Sequence, residues 1–263
     1  MPFRQAGRIR YYDFDLLNRD GLFHAIITRN EGVSPTPWQS LNFGGSGGDE
    51  RSRVIENRRL AFQSLDVDPD RVFDVWQVHG DQVVCADEPR ASGAAHQKAD
   101  AILTNCYDLI LLMLFADCVP ILLYDPVQKV AGVAHAGWKG TVLKTAAKAV
   151  ETMTAHYGSR PKDILAAIGP SIGPDHYGVG NDVIRAVKGS FGLMADQFLH
   201  EIHGRVRFDL WECNRYILEK IGVKSIEVAG LCTACHLDDW FSHRAENGKT
   251  GRFGVLIGIS DGR

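Results

Sequence analysis

Two histidines and one cysteine are the residues of this sequence best suited to chemistry. His79 follows a short strand-like segment, while Cys118 and His135 follow long apolar runs. Side chains at the ends of buried strands can point into a cleft while their backbone stays fixed. Two imidazoles and one thiolate can hold a zinc ion and leave its fourth position open to water or substrate. These three residues therefore predict an open metal centre.

Two other interpretations of these residues remain open, because their wide separation fits no short metal-binding signature. Cys118 could be a small buried hydrophobe, with both histidines satisfied by backbone hydrogen bonds. Alternatively, Cys118, His135 and Asp117 could form the catalytic group of a cysteine hydrolase. The metal content of the purified protein would separate the hydrolase from the metal centre.

A second motif, Cys232-Thr233-Ala234-Cys235-His236, matches the C-x-x-C-H pattern of c-type haem attachment. Covalent haem normally accompanies export, and the first fifteen residues contain no apolar run of signal-peptide length. We therefore expect no covalent haem. Zinc binding through the two cysteines is an alternative, and a structural role for both thiols is the main expectation.

Continuous apolar runs identify the strands that must position these residues, since strands buried on both faces lack polar alternation. The central runs are 109–115, 121–124 and 130–134. Further strands are predicted at 9–17, 22–28, 101–104, 164–168, 223–228 and 253–259, and a hairpin at 71–86 around Gly80-Asp81. The mixture of hairpins with alternating strands and helices predicts mixed sheets rather than a purely parallel one.

Helical patterns separate these strands. The segment 52–65 carries an apolar stripe, and Arg58 lies within it, so its guanidinium must meet either a buried carboxylate or an anionic ligand. Asn57, the neighbouring residue, could likewise bond either within the protein or to a ligand. Thr141 is expected to cap a helix to about residue 157, a further helix starts near 181, and Asp209 is expected to cap another.

Two polar segments lie outside these elements. Residues 29–49 form a loop rich in glycine, proline and serine, which is either a binding loop or a surface excursion. His96 lies in a second polar loop and is expected to be solvated.

Composition limits the class of protein. The 263 residues are 45% hydrophobic and 23% charged, with 29 basic residues against 32 acidic ones and a net charge of −3. This balance gives no global basic excess for binding nucleic acid. No run reaches the length of a membrane span. We expect a cytoplasmic protein whose cysteines are reduced.

Several long motifs occur in one order: TRNEGVS (28–34), SLNFG (40–44), ENRR (56–59), QVHG (77–80), ADCVPILLYDP (116–126), HAGWKGT (135–141), GPSIGP (169–174), then CT, FSHR and TGR. Together they resemble the laccase-domain family, also called the polyphenol oxidase or YfiH/YlmD-like family, over nearly the whole chain. The resemblance implies an α+β fold: one domain over residues 1–263, built as a four-layer α/β/β/α sandwich with mixed sheets.

The resemblance also implies a function. It points to a purine nucleoside phosphorylase that acts on adenosine, inosine and methylthioadenosine and also deaminates adenosine. The implied partners are purine nucleosides and phosphate, with no nucleic acid or membrane, and we expect a monomer. The matching motifs imply that His79, Cys118 and His135 hold zinc, or alternatively copper. They imply that Asp117 orients a ligand or acts as acid or base. The implied substrate-binding residues are Arg58, Asn42, Arg29 and Asn57.

The sequence departs from what the family names suggest in two respects. A multicopper oxidase needs many histidines in H-x-H pairs, but this chain has ten histidines and no such pair. The ligand count therefore disfavours a multicopper oxidase, and a copper-dependent polyphenol oxidase is kept as the alternative function. The family resemblance also leads us to expect two cysteines and a glutamate where this chain has Asp175, His176 and Gly178, and an aromatic residue at His243.

Overall fold

The computed structural model describes residues 2–91 and 93–260, which fold as short strands and helices. The described residues contain fourteen strands, in chain order β1 (Phe3–Ala6), β2 (Ile9–Tyr12), β3 (Leu22–Ile27), β4 (Val72–Asp74), β5 (Val83–Cys85), β6 (Ala101–Thr104), β7 (Ile110–Phe115), β8 (Val119–Asp125), β9 (Val130–Ala136), β10 (Leu165–Ile168), β11 (Leu199–Ile202), β12 (Arg205–Phe208), β13 (Ser225–Val228) and β14 (Phe253–Ile259).

Five α-helices accompany these strands within the same described ranges. They are α1 (Arg51–Ser64), α2 (Trp138–Leu143), α3 (Thr145–Tyr157), α4 (Asn181–Phe191) and α5 (Leu210–Lys220). Asp209 caps α5 by accepting a hydrogen bond from the backbone N–H of Glu212, which confirms that prediction. No helix in the described residues is long and apolar enough to cross a bilayer.

The predicted cap at Thr141 is wrong. The helix already begins at Trp138, and Thr141 lies buried inside α2, where its hydroxyl accepts a hydrogen bond from the Asn214 side chain. Lys144, with φ of 62°, then separates α2 from α3. A left-handed residue cannot continue a right-handed helix, so the predicted single helix is divided in two.

The strands form two six-stranded mixed sheets, which confirms the predicted α+β class. The first has the order β1-β2-β3-β14-β7-β4, and its β4–β7 pair is parallel. The second has the order β13-β10-β8-β9-β6-β5, with a parallel pair at each edge. Strands β11 and β12 form a separate antiparallel pair.

Alternating side chains on the central strands build three apolar layers. Along β7, Met113 packs between the two sheets, whereas its neighbour Leu112 packs against α1 on the outer face. Along β8, Leu122 faces the space between the sheets and Leu123 faces the helices α3 to α5. The resulting order, helix, sheet, sheet, helices, is the expected four-layer sandwich. It also explains the continuous apolar runs, because both faces of these strands are buried.

The predicted hairpin at 71–86 is wrong. Its two strands lie in different sheets, since β4 pairs with β7 in the first sheet and β5 pairs with β6 in the second. The Gly80-Asp81 segment is therefore part of a connection that crosses from one sheet to the other. This crossing brings His79 to the edge of the space between the sheets.

Candidate metal centre and its cavity

Cys118 and His135 extend the inner face of two neighbouring strands. His135 has the same parity on β9 as Ala131 and Val133, which pack between the sheets. Cys118 immediately precedes β8 and packs against the same core. The pairing of β8 with β9 places His135 opposite Pro120, two residues after Cys118. The strand register therefore brings the thiol and the imidazole together.

His79 reaches these two residues from a loop rather than from the end of a strand. Its φ of 59° places a non-glycine residue in the left-handed region, a conformation that the surrounding structure must stabilise. Its ring centroid lies 4.9 Å from that of His135. The prediction that all three residues end strands is therefore wrong, since Cys118 precedes β8 and His135 lies inside β9.

Asp100 is the residue that fixes both histidines, although no sequence pattern marks it. Its fully buried carboxylate lies 2.8 Å from Nδ1 of His135. The same carboxylate accepts hydrogen bonds from the backbone N–H groups of Val78, His79 and Gly80 at 3.2, 2.9 and 2.6 Å. Burial raises the pKa of Asp100, but these hydrogen bonds outweigh it and keep the pKa below its ordinary value.

The donor set of His79, Cys118 and His135, here called the cavity cluster, fits a metal ion. The three ligand atoms lie within 4.8 Å of one another. With Nδ1 of His135 bonded to Asp100, its Nε2 is left for the centre, an arrangement common among metal-binding histidines. Burial raises the pKa of Cys118, but His135 and His79 outweigh it and lower the pKa, which favours the metal-binding thiolate.

The backbone beside the cavity cluster leaves room only for glycine. A Cβ atom added to Gly137 would lie 2.7 Å from the sulfur of Cys118. This close approach explains the glycine that follows His135 and Ala136 in HAGWKGT. The backbone is therefore packed directly against the thiol.

A cavity of about 970 Å³ opens above the cavity cluster. This is the size range of sites that enclose small-molecule ligands. The lining is strongly cationic, because five arginines face two aspartates. These charged residues are Arg51, Arg58, Arg90, Arg244, Arg252, Asp74 and Asp117.

Arg58 lies on one wall of this cavity in a network around Asp74. Its guanidinium donates to the carbonyl of Phe43 and lies 3.4 Å from the Asp74 carboxylate. Arg90 and His96 approach the same carboxylate at 2.6 and 3.3 Å. Three cationic or titratable groups thus share one buried carboxylate, which leaves positive charge to meet an anion. His96 is exposed, as expected, and its ring also lies within salt-bridge distance of Asp74.

Arg252 offers a second cationic group closer to the cavity cluster. Its side chain donates to the backbone carbonyls of Thr250 and Gly251. Among the described residues, no carboxylate lies within salt-bridge distance of its guanidinium. Burial lowers the pKa of Arg252 below its ordinary value, and the opposing effect of the neighbouring Cys118 and Asp117 is smaller. An arginine so placed is suited to a ligand's phosphate.

Aromatic rings complete the lining. Trp76, Trp138 and Tyr177 border the cavity, and Trp76 is 53% exposed despite its size. Exposed aromatic faces are suited to stacking against a flat ligand. No sequence motif places these three rings at the site.

Asp117 lines the cavity but uses both carboxylate oxygens within the protein. It accepts hydrogen bonds from the Thr233 hydroxyl at 2.7 Å and from the backbone N–H of Arg244 at 2.6 Å. Its φ of 79° is again unusual for a residue other than glycine. The carboxylate that bonds to a cluster histidine is that of Asp100 instead.

Three of the predicted substrate-binding residues lie behind the cavity wall. Asn42 is fully buried and bonds to Gly44, Asp49 and the backbone N–H of Arg252. Asn57 is also fully buried; it donates to the Asn42 carbonyl and accepts from Val33. These contacts organise the loop 29–49.

Arg29, the third of these residues, anchors the same loop. It donates to the carbonyls of Gln39, Leu237 and Trp240, forms an ion pair with Glu246 and stacks on Phe241. The loop 29–49 is therefore an ordered support for the cavity.

Comparisons with known proteins match this fold and sequence. Residues 23–260 match the family described as multi-copper polyphenol oxidoreductase laccase. The chain is 38% identical to purine nucleoside phosphorylase YlmD of Bacillus subtilis, over 93% of this chain and 91% of that protein. It is 39% identical to a purine nucleoside phosphorylase of Deinococcus radiodurans, over 90% of this chain and 88% of that protein. The crystal structure of YlmD from Geobacillus stearothermophilus matches with a TM-score of 0.92 at 32% identity, covering 99% of both chains.

Proposed function

The chain belongs to the multi-copper polyphenol oxidoreductase laccase family, and on this premise we propose that it is a metal-dependent purine nucleoside phosphorylase. The observation that carries the proposal is one arrangement: two histidines and a cysteine, oriented by the buried Asp100, lie in a cationic cavity of nucleoside size. The relatives named as purine nucleoside phosphorylases support it, since the chain aligns with them over nearly its whole length.

We assign the metal as zinc, held by His79, Cys118 and His135. Nitrogen and thiolate donors suit zinc, and three protein ligands leave a position open. When bound, zinc would supply Lewis-acid chemistry, polarising or orienting a bound oxygen. Copper binds such donors more tightly in solution, so copper found after purification would not by itself indicate an oxidase.

The cationic wall is suited to hold the phosphate. Arg58 and Arg252, from two widely separated segments of the chain, present guanidinium groups to the cavity. The planar fork of arginine matches phosphate oxygens with two parallel hydrogen bonds. The aromatic rings of Trp76, Trp138 and Tyr177 are suited to pack against the purine. Together these groups bring a phosphate oxygen and the nucleoside into one enclosed space.

Phosphorolysis then requires one bond exchange. A phosphate oxygen bonds to C1′ of the nucleoside while the C1′–N9 bond breaks, and the proton of hydrogen phosphate passes to the purine. The products are the free base and ribose 1-phosphate, or 5-methylthioribose 1-phosphate when the substrate is methylthioadenosine. Asp100 acts by orienting His135 and His79, and Asp117 by holding the segments that contain Thr233 and Arg244 beside the cavity.

We include adenosine, inosine and methylthioadenosine as substrates, and adenosine deamination as a second reaction of the same site. In deamination the oxygen of water bonds to C6 and ammonia leaves, giving inosine. The cavity encloses enough volume for either reaction.

The test is a panel of these three nucleosides, with and without phosphate, using zinc-loaded protein. We expect release of the base and of the corresponding pentose 1-phosphate, and this release should depend strictly on phosphate. Release of free ribose without phosphate would contradict phosphorolysis. Oxygen uptake with a phenol, in the absence of any nucleoside turnover, would favour the polyphenol oxidase instead.

A cysteine hydrolase is the second candidate, because one observation favours it. Asp100, His135 and Cys118 lie in the order carboxylate, imidazole and thiol that activates a nucleophilic cysteine. The two candidates differ in what Cys118 does. A hydrolase would remain active after complete removal of metal, whereas the metal-dependent phosphorylase would not.

A further inference from the structure

A second group of metal-type donors lies where two turns meet, away from the cavity lining. Asp175 and His176 belong to the turn after β10, and Cys232 and Cys235 belong to the turn after β13. One ligand atom from each of the four residues lies within 4.8 Å of the other three. We name these four residues the turn cluster. They include two residues at which the chain departs from the pattern its family resemblance predicts.

Of four donor–donor distances within the turn cluster, three match those around a tetrahedral zinc ion, and the fourth, 3.0 Å between Asp175 and His176, is shorter. Bonds of about 2.0–2.3 Å at tetrahedral angles set donor atoms about 3.3–3.8 Å apart. Nδ1 of His176 lies 3.8 Å from the sulfur of Cys232 and 3.5 Å from that of Cys235. The Asp175 carboxylate lies 3.7 Å from the sulfur of Cys235 and 3.0 Å from Nδ1 of His176.

The backbone holds these donors in place from both turns. Gly173 donates its N–H to the sulfur of Cys232 at 3.2 Å and accepts a hydrogen bond from the N–H of His176 at 3.0 Å. A Cβ atom at Gly173 would lie 2.7 Å from the Asp175 carboxylate and 3.1 Å from Cβ of Cys232, so a larger residue there would crowd the turn cluster. An N–H bonded to a ligand sulfur is typical of the support around metal-bound thiolates.

The donor set discriminates between the possible uses of the C-x-x-C-H motif. A haem would take His236 as its ligand, but among the described residues the converging imidazole is that of His176. A disulfide between Cys232 and Cys235 would need neither His176 nor Asp175. The convergence of a nitrogen, an oxygen and two sulfurs is instead the donor set of a closed structural zinc site.

We propose that Asp175, His176, Cys232 and Cys235 bind a second zinc ion, with all four positions filled by protein. The ion joins the two turns and fixes Thr233, whose hydroxyl bonds to Asp117 beside Cys118. It therefore stabilises the segment next to the cavity without contacting substrate. This site is independent of the phosphorylase proposal, since it depends on other residues and has no open position.

The test is the zinc content of the full chain, purified under reducing conditions, supplied with zinc and desalted. We expect two equivalents in the unsubstituted protein and one in the Cys235→Ser variant. The matched control is Cys106→Ser, which removes another accessible thiol and should keep two equivalents. His176→Gln, at a half-exposed position, serves if Cys235→Ser does not fold.

Cobalt substitution gives a second readout that does not depend on activity. Three thiolates would contribute to the charge-transfer absorbance, one from the cavity cluster and two from the turn cluster. Loss of the turn site in Cys235→Ser should remove about two thirds of that absorbance. The proposal is overturned if the unsubstituted protein binds only one equivalent of zinc and Cys235→Ser binds the same amount. A disulfide between Cys232 and Cys235 would also overturn it.

Discussion

The cavity cluster and the turn cluster use similar donors in opposite surroundings. In the cavity cluster, His135 is 3% exposed and lies on a central strand, and its donors face a large cavity. In the turn cluster, Asp175, His176 and Cys235 are exposed, and the donors face one another. The first provides three protein ligands and an open side, whereas the second provides four.

This difference assigns the two clusters different roles. An open position next to an enclosed, cationic space allows a ligand to approach the metal, which catalysis requires. Four protein donors at the meeting of two turns leave no such position, and a metal there stabilises the fold. Donor type alone does not separate the two roles, because both clusters combine histidine with cysteine.

The two clusters are joined by one short connection. Cys118 follows Asp117, whose carboxylate accepts a hydrogen bond from Thr233, between Cys232 and Cys235. Under the two proposals, a metal in the turn cluster therefore influences the geometry of the cavity cluster through one side-chain hydrogen bond.

The largest expected effect contrasts one cysteine from each cluster. Cys118→Ala should lower phosphorolysis about 10³-fold, because it removes a metal ligand of the reacting site, and should lose one equivalent of zinc. Cys235→Ala should also lose one equivalent but keep activity within about twofold, since its metal does not touch substrate. Steady-state kinetics and metal analysis measure both.

Two outcomes would break this contrast. Full phosphorolysis by Cys118→Ala would refute the metal mechanism. A Cys118→Ala protein that keeps two equivalents of zinc but is inactive would favour the nucleophilic cysteine.

A smaller effect is expected at the carboxylate behind the cavity cluster. Asp100→Asn should weaken zinc binding at the cavity cluster about 10- to 100-fold, because the amide orients His135 less well. Zinc binding at the turn cluster should not change. Competition with a chelator of known affinity measures both sites. Equal weakening at both would mean that Asp100 acts only on overall folding.

The arginines of the cavity wall are proposed to bind phosphate, a role that the turn cluster does not have. Arg58→Ala should raise the KM for phosphate about tenfold, because one charged hydrogen-bonding group is lost. The control is Arg59→Ala, an exposed neighbour paired with Glu56, which should leave the KM unchanged. If Arg58→Ala instead lowers kcat with an unchanged KM for phosphate, Arg58 does not bind phosphate.

The smallest effect tests the connection between the clusters. Thr233→Val removes the hydrogen bond to Asp117 while keeping the side-chain shape, and should lower kcat about threefold and stability by about 1 kcal/mol. Thr233→Ser should restore kcat, because it restores the hydroxyl. A variant that loses stability but keeps its kcat would mean that the connection is only structural.

The sequence predicted the central fold well because both faces of β7, β8 and β9 are buried, which leaves long apolar runs. It misplaced the strands at 71–86, since nothing local distinguishes a hairpin from a crossing between two sheets. The cap assigned to Thr141 failed for a similar reason: a tertiary contact, the hydrogen bond from Asn214, uses that hydroxyl.

The site was only partly predictable. The motifs single out His79, Cys118 and His135, and the apolar stripe singles out Arg58, as residues that the structure brings to one cavity. Asp100 is not predictable in this way, because its partners lie twenty or more residues away along the chain and no local pattern marks a carboxylate that bonds to distant backbone. Asn42 and Asn57 stand out in the sequence as polar residues. In the structure both are buried, and their side chains form hydrogen bonds that organise the loop 29–49.

The most direct test of the catalytic role of the cavity cluster is a zinc titration of the Cys235→Ser protein. This variant keeps the cavity cluster and loses the turn cluster, so added zinc has one site to fill. Starting from metal-free protein, phosphate-dependent release of purine from inosine should rise linearly with zinc and level off at one equivalent. Metal-free protein that is already as active as the loaded protein would contradict the account.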